Sequence, residues 1–389
     1  MFEKLENISL TICIAFFVIL FGIIFRLYNI GFENLWFDEI VSFWIADPKI
    51  SFWESYQRNN IGEGTPFLFN FIIKILHSIF GYSPNIGRYF SFVVSSLSIF
   101  SMIYLIKTIR NSDSYLLIIF LVSMNIFLIK YSQELRVYSL VFFLCSMTLI
   151  FYFKIFKENI NDKYLSKNSF FFIIFQILSI LSHPFTLIMF GSIILYRLAT
   201  KILKKNKNRI LDSSIIIIIL FIFFYLPFYL LNTEPYPTWV SHPETKFYTN
   251  FYFSKFFGSR LLGLLFLISF IYLLFKFRKT LQNNLDIYSF FLITIFASYI
   301  LPLLFGYLIK PILVDRYILF VLIPLLALIS NFIFLLRNTL IKYFLIIFLI
   351  ISQITNLFDE YTFKQFYTDI YPSKPEVKKS LEVINKSNM

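Results

Sequence analysis

Two adjacent carboxylates, Asp38 and Glu39, stand in the run Leu35-Trp36-Phe37-Asp38-Glu39-Ile40-Val41-Ser42-Phe43-Trp44, directly after a long apolar stretch. A carboxylate within hydrogen-bond reach of a hydroxyl can take its proton, so the pair is a candidate general base. Trp36, Phe37, Ile40, Phe43 and Trp44 recur at three- to four-residue spacing, which predicts a helix lying in a membrane interface with one apolar face. The plain alternative is that Asp38 and Glu39 are the solvated side of that helix, as most exposed acidic residues are. Against it, anionic headgroups repel carboxylates, and interfacial helices favour Lys and Arg. A second amphipathic piece from Ile50 to Tyr56 follows, and the segment closes in the flexible turn Gly62-Glu63-Gly64-Thr65-Pro66.

The other chemistry-bearing residues are ionisable groups at the ends of apolar stretches or inside them, where a charge is costly and is usually paired or functional. They are Arg88, Glu134 and Arg136 in Tyr131-Ser132-Gln133-Glu134-Leu135-Arg136-Val137-Tyr138, His183 before Pro184, Arg260, and Arg316 after Asp315. Glu134 and Arg136 can equally be a local charge pair at a helix start, and His183 a hydrogen-bonded interior histidine. Arg316 opens a long apolar stretch and is the better candidate for holding an anionic lipid group by charge-assisted hydrogen bonds. Arg88, Arg136, His183 and Glu134 are the further candidates for substrate or phosphate contact. With three histidines, no CxxC, no HExxH and no glycine-rich phosphate loop, neither a metal ligand set nor a soluble nucleotide site is expected. No cofactor is firmly implied, and assistance by a divalent cation stays open.

A membrane scaffold has to position these groups. Of 389 residues, 58% are hydrophobic and 15% charged, against about 45–50% and about 25% in soluble domains. With 10 Gly, 13 Pro and only Cys13 and Cys145, a collagen-like or disulfide-built chain is excluded, and so is a disordered one. The net charge of +13 is spread in short clusters between apolar segments, the footprint of cytoplasmic loops rather than of a nucleic-acid surface. At about 20 residues per span, the sequence predicts an all-α polytopic membrane protein. Its eleven spans lie near 8–28, 65–81, 84–106, 114–131, 134–153, 169–198, 213–232, 254–276, 286–309, 315–336 and 339–358. The 169–198 stretch has His183-Pro184 at its middle and is one kinked helix or two short ones, so the count runs from 11 to 13. The first span, Ile8 to Leu27, lacks a small-residue cleavage site and is expected to stay uncleaved.

Residues 29–64 carry six acidic and two basic side chains, a net −4, whereas Lys201 to Asp212 carries five basic and one acidic, a net +4. Basic loops stay inside, which puts the acidic segment outside. The polar stretch 359–389, with Pro372 and Pro375, is expected as a short outer tail.

Six stretches resemble, in order, motifs of the C-type glycosyltransferases related to protein O-mannosyltransferases and to the lipid A aminoarabinose transferase, that is, glycosyltransferase family 39 and its bacterial relatives. They are LWFDEIVSFW, GTPFLFNFIIKI with Thr65 where a second proline is usual, GRYFSFVVSSL, YSQELRVYSL, LSHPFTLIMF and PILVDRYILFVLIP. The resemblance implies a GT-C fold over 1–358, with 29–64 as the outer catalytic loop and 359–389 as its tail. It also implies a multi-pass protein of a bacterial or archaeal inner membrane with its site on the outer face. The reaction would move a sugar from a polyprenyl-phosphate donor to a hydroxyl of a protein, lipid or polysaccharide by one inverting displacement. Asp38 would be the base, Glu39 an orienting neighbour and Arg316 the phosphate ligand. Membrane lipids are the other implied partner, and nucleic acid is not one.

Two alternatives remain: a transporter or flippase of lipid-linked sugars, and a surface-polysaccharide polymerase or ligase. The enzyme is favoured because the acidic pair sits in one loop and no internal duplication is visible. A reporter fused after Asn60 is expected to be active only in export-dependent form; a cytoplasmic readout there removes the outer-face site.

Overall fold

The computed structural model describes residues 2–109, 114–157, 165–203, 208–233, 240–278 and 287–359. A chain this apolar must satisfy its backbone hydrogen bonds within each segment once it enters lipid. Accordingly, every regular element among the described residues is a helix, and none is a strand. Helix α1 (Phe2–Leu27) is followed by two short helices, α2 (Phe37–Ile45) and α3 (Phe52–Gly62). Next come α4 (Leu68–Phe80), α5 (Pro84–Ile109), α6 (Tyr115–Ser123), α7 (Ile126–Ser132) and α8 (Tyr138–Lys157). The chain continues through α9 (Lys167–Ser182), α10 (Thr186–Leu203), α11 (Arg209–Asn232), α12 (Thr245–Asn250), α13 (Phe253–Phe256) and α14 (Arg260–Lys276). It ends with α15 (Ile287–Leu308), a 3-10 segment (Asp315–Val321), α16 (Leu322–Phe334) and α17 (Thr339–Asp359).

Among the described residues, seven helical stretches are long and apolar enough to cross a membrane, or eight if the bent pair α6 and α7 is one span. All eleven expected spans have apolar helices, but several are broken or short. The 114–131 stretch bends by 52° between α6 and α7, where Asn125 turns its side chain onto the Leu128 N–H and starts a new helix. The 169–198 stretch divides at His183-Pro184 into α9 and α10, because proline supplies no N–H to continue the ladder. Helix α4 has 13 residues, about 20 Å of rise against about 30 Å of hydrocarbon. From residue 360 onward the expected outer tail lies outside the described residues.

Packing is densest around α8, which runs along α5 and α9, and around α16, nearly all of whose side chains are buried. By contrast α1 and α11 turn Phe16, Phe17, Phe223, Phe224 and Leu231 outward, as lipid-facing helices do. Helix α1 crosses α6 at Gly22, where a Cβ would lie 2.6 Å from that of Ser123. That close approach lets Arg26, fully buried, reach the open C-terminal end of α6. Its Nη1 donates to Ser123 O at 2.6 Å and Gly22 O at 2.9 Å, Nη2 to Val122 O at 2.8 Å, and Nε to Ser95 Oγ at 3.0 Å. The cation thus satisfies carbonyls that the bend strips of intrahelical partners and meets the negative end of the α6 dipole.

The α2 face differs from the expected one. Its buried side is Glu39, Ser42 and Ile45, with the polar pair Glu39 and Ser42 at helical spacing, while Phe37 and Trp44 point outward. An interfacial helix with an inward polar face must have polar partners waiting for it.

Replacing Arg26 by Met is expected to lower stability by about 1–3 kcal/mol, because buried carbonyls lose their donors. Thermal unfolding of the purified protein in detergent measures it.

Candidate active site

The partners of the α2 polar face come from α5, from the turn between α7 and α8, and from the end of α3. Glu39 is the third residue of α2 and caps its own helix, with Oε2 3.4 Å from the Trp36 N–H. It is fully buried. Arg88 on α5 meets it side by side, Nε to Oε1 at 3.0 Å and Nη2 to Oε2 at 3.1 Å. The remaining Arg88 donors go to the carbonyls of Ile30 (3.2 Å), Glu33 (2.7 Å) and Asn34 (3.3 Å). A guanidinium has five N–H groups, and these contacts engage all five. Glu39 Oε1 also accepts the Leu135 N–H at 2.9 Å.

The Gln133-Glu134-Leu135-Arg136 run is therefore a docking turn. Gln133 Nε2 donates to Tyr28 O at 2.8 Å and Phe25 O at 3.1 Å, closing the C-terminal end of α1. Glu134 O accepts the Arg136 N–H at 2.8 Å, which tightens the turn, and the Glu134 side chain is buried. Arg136, also buried, points back under α2. Its Nη1 donates to Asp38 O at 2.9 Å, to Ser42 Oγ at 3.0 Å and to Glu63, and its Nη2 lies 3.8 Å from Asp38 Oδ2. Burial opposes the charge of this guanidinium, but Glu63 and Asp38, with Tyr138, more than offset that and hold its pKa well above the ordinary arginine value.

Asp38 is the outermost of the three carboxylates, with a side chain 25% exposed. Arg316, at the start of the 3-10 segment, donates from Nη2 to Asp38 Oδ2 at 3.2 Å, and its guanidinium lies 4.9 Å from the centre of the Trp36 ring. The site thus holds Asp38, Glu39 and Glu63 against Arg88, Arg136 and Arg316, equal in formal charge. The arginine side chains are 3%, 7% and 13% exposed in that order, so the Asp38–Arg316 pair forms the open rim.

His183 caps α9 at the α9–α10 break, and its Nδ1 accepts the Phe185 N–H at 3.2 Å. Its ring centre is 5.1 Å from that of Tyr317, which places it behind Arg316. Arg260 borders a different cavity, of about 370 Å³, with Thr249, Asn250 and Leu264. Sequence reasoning passed over Glu63 and Ser42. Their only signals are an acidic residue between two glycines and a serine three positions after Glu39.

An apolar cavity of about 260 Å³ is lined by Tyr56, Pro66, Phe67, Phe71, Tyr225 and Phe228. It abuts a smaller pocket that shares Pro66, Tyr225 and Tyr229 and reaches Pro184. Tyr229 donates to Gly64 O at 2.9 Å, so one edge of this groove touches the turn that carries Glu63 and another the break that carries His183.

Among the described residues no group of three His, Cys, Asp or Glu side chains is placed to hold a metal ion.

No family model matches the chain, and no curated protein matches it. Among solved structures it is similar to the crystal structure of the Archaeoglobus fulgidus oligosaccharyltransferase in complex with zinc and sulfate. The TM-score is 0.48 and the identity 11%, over 93% of this chain and 54% of that one. The chain spans about half the length of that protein.

Glu39 and Asp38 should part in their effect on folding. Glu39→Gln leaves Arg88 buried beside a neutral amide and is expected to cost about 3–5 kcal/mol. Asp38→Asn, at the rim, is expected to leave the unfolding temperature close to that of the wild type. Parallel thermal melts decide between them.

Proposed function

We propose that this chain is a membrane glycosyltransferase of the GT-C kind that moves a sugar from a polyprenyl-phosphate donor to an acceptor hydroxyl, with Asp38 as general base and Arg316 as the phosphate ligand. The observation that carries the reading is the partly exposed Asp38–Arg316 pair, 3.2 Å apart, at the rim of a site whose other two arginines are committed to buried carboxylates. The apolar groove that meets the Glu63 turn through Tyr229 and Gly64 offers room for the prenyl tail. Glu39 orients Asp38 by fixing α2, which makes it a positioning residue. Arg88 and Arg136 serve the scaffold, and His183 and Glu134 back the site from behind.

The acceptor oxygen attacks the anomeric carbon as the bond from that carbon to the phosphate oxygen breaks, which inverts the centre. The acceptor proton goes to Asp38 and the bonding pair leaves with the phosphate, so the monoanionic diester becomes a dianionic monoester. A phosphate leaving group needs no acid to protonate it. As Asp38 becomes neutral its hold on Arg316 fades, while the phosphate gains charge and draws the same guanidinium by charge-assisted hydrogen bonds. One arginine changing partner stabilises the charge where it develops. The placement of this site on the outer membrane face follows from the acidic 29–64 segment and belongs to the same proposal.

Asp38→Asn is expected to lower turnover by about 10²–10⁴-fold while donor binding stays the same or tightens, since a competing anion is gone. Arg316→Ala is expected to weaken donor binding by about 1.5–3 kcal/mol. Purified protein with lipid-linked sugars provides the assay. Full activity in Asp38→Asn removes it as the base, and wild type that cleaves no sugar–phosphate bond favours transport.

A further inference from the structure

Glu63 ends α3 between two glycines, and its side chain is only 7% exposed. It pairs with Arg136, its Oε1 accepts the Ser42 hydroxyl proton at 2.9 Å, and its Oε2 lies 3.4 Å from Arg136 Nη2. Ser42 Oγ itself accepts from Arg136 Nη1 at 3.0 Å, so Ser42, Glu63 and Arg136 close a ring of hydrogen bonds beneath Asp38. Both terminal nitrogens of Arg136 are thereby turned to protein acceptors, three at Nη1 and two at Nη2.

We propose that Glu63 is a positioning residue that locks the Arg136 guanidinium to the inner side of Asp38 and withholds it from the donor phosphate. The proposal rests on the donor reading above and deepens it. A guanidinium forked onto one carboxylate cannot offer the same edge to a phosphate. Remove the Glu63 charge and Arg136 becomes a cation lacking its strongest partner, left with Asp38 Oδ2 at 3.8 Å and freed to turn toward the donor phosphate. Arg136 would then bind the donor before any charge develops, which tightens the ground state without matching help in the transition state. Glu63 therefore leaves the change of partner to Arg316, at the rim, where the acceptor and donor meet.

The gap between Gly62 and Gly64 explains why the carboxylate sits where it does. Gly62 lies against Val41, Trp44 and Ile45 of α2, with Val41 Cγ1 3.0 Å from where a Cβ would stand, so a side chain there would crowd α2 and a glycine lets α3 end this close to it. The next residue is then delivered directly beneath Ser42.

The test uses the full chain in lipid nanodiscs and a decaprenyl monophosphate probe. Arg316→Ala is expected to weaken probe binding about tenfold, and adding Glu63→Gln to recover several-fold of that loss, because Arg136 is released to the phosphate. Glu63→Gln alone is expected to bind the probe more tightly than wild type while kcat falls about tenfold, a split that loss of structure does not produce. A double variant that binds no better than Arg316→Ala, with unchanged melting temperatures, overturns the proposal. If Glu63→Gln does not fold, Glu63→Asp, which draws the carboxylate back from Arg136, is expected to shift probe binding and kcat in the same directions by a smaller factor. Failure of both to fold makes Glu63 a scaffold residue and also overturns it. Wild type that does not bind the probe removes the donor reading, and this proposal with it.

Discussion

The ion pair of Glu39 with Arg88 sits in a medium that does not tolerate an unmatched charge, and that intolerance organises its surroundings. Moving either group out of water costs several kcal/mol, which is recovered only if every donor and acceptor finds a partner. Arg88 reaches that state by engaging the carboxylate and three carbonyls of the 30–34 segment. Glu39 reaches it through Arg88, the Trp36 N–H and the Leu135 N–H. Four separate stretches of chain are thus tied to one point: the end of the first span, α2, α5 and the turn before α8. Gly87 allows this meeting, because a side chain there would run into Leu135.

The same economy of polar groups governs the rest of the molecule. Each helix that breaks inside the apolar body leaves carbonyls or N–H groups to be satisfied. Arg26 serves the end of α6, Gln133 the end of α1, and Lys74 binds the Asp47 and Ile50 carbonyls at 2.5 and 2.7 Å where α2 gives way to α3. These long polar side chains let short and bent helices stand where straight spans would be simpler. They also hold the segment between α1 and α4 as a fixed platform, on which a carboxylate can keep one position.

Charge balance gives the site its working asymmetry. Two of its three pairs are buried, and the third is at the rim, with Arg316 against the Trp36 face. A buried pair resists exchange because breaking it strands a charge, whereas a pair reached by water or ligand can trade partners at small cost. The Asp38–Arg316 pair is set apart from its neighbours by depth, since all three are the same carboxylate and guanidinium chemistry.

How much of this was legible in the chain depends on whether a feature is local. Hydropathy is a local property, so the apolar helices, the all-α class and the break at His183-Pro184 can be read directly, as can the pairing of an acidic 29–64 segment with a helix at Trp36–Trp44. Lengths were less legible: α4 and the α6–α7 bend depend on side chains such as Asn125, which compete with the ladder and leave little trace in a hydropathy window. Which charge pairs with which is not a local property. Asp38 and Glu39 are neighbours with the same functional group, and the rotation of α2 about its axis alone decides that one is buried against Arg88 and the other faces Arg316. Arg316 reads as the better phosphate candidate, but Arg88 and Arg136 stay open beside it, and Glu63 reads only as part of a turn. Which cation is already spent on which carboxylate is set by contacts across 49, 73 and 278 residues of chain, and only the folded packing fixes those distances.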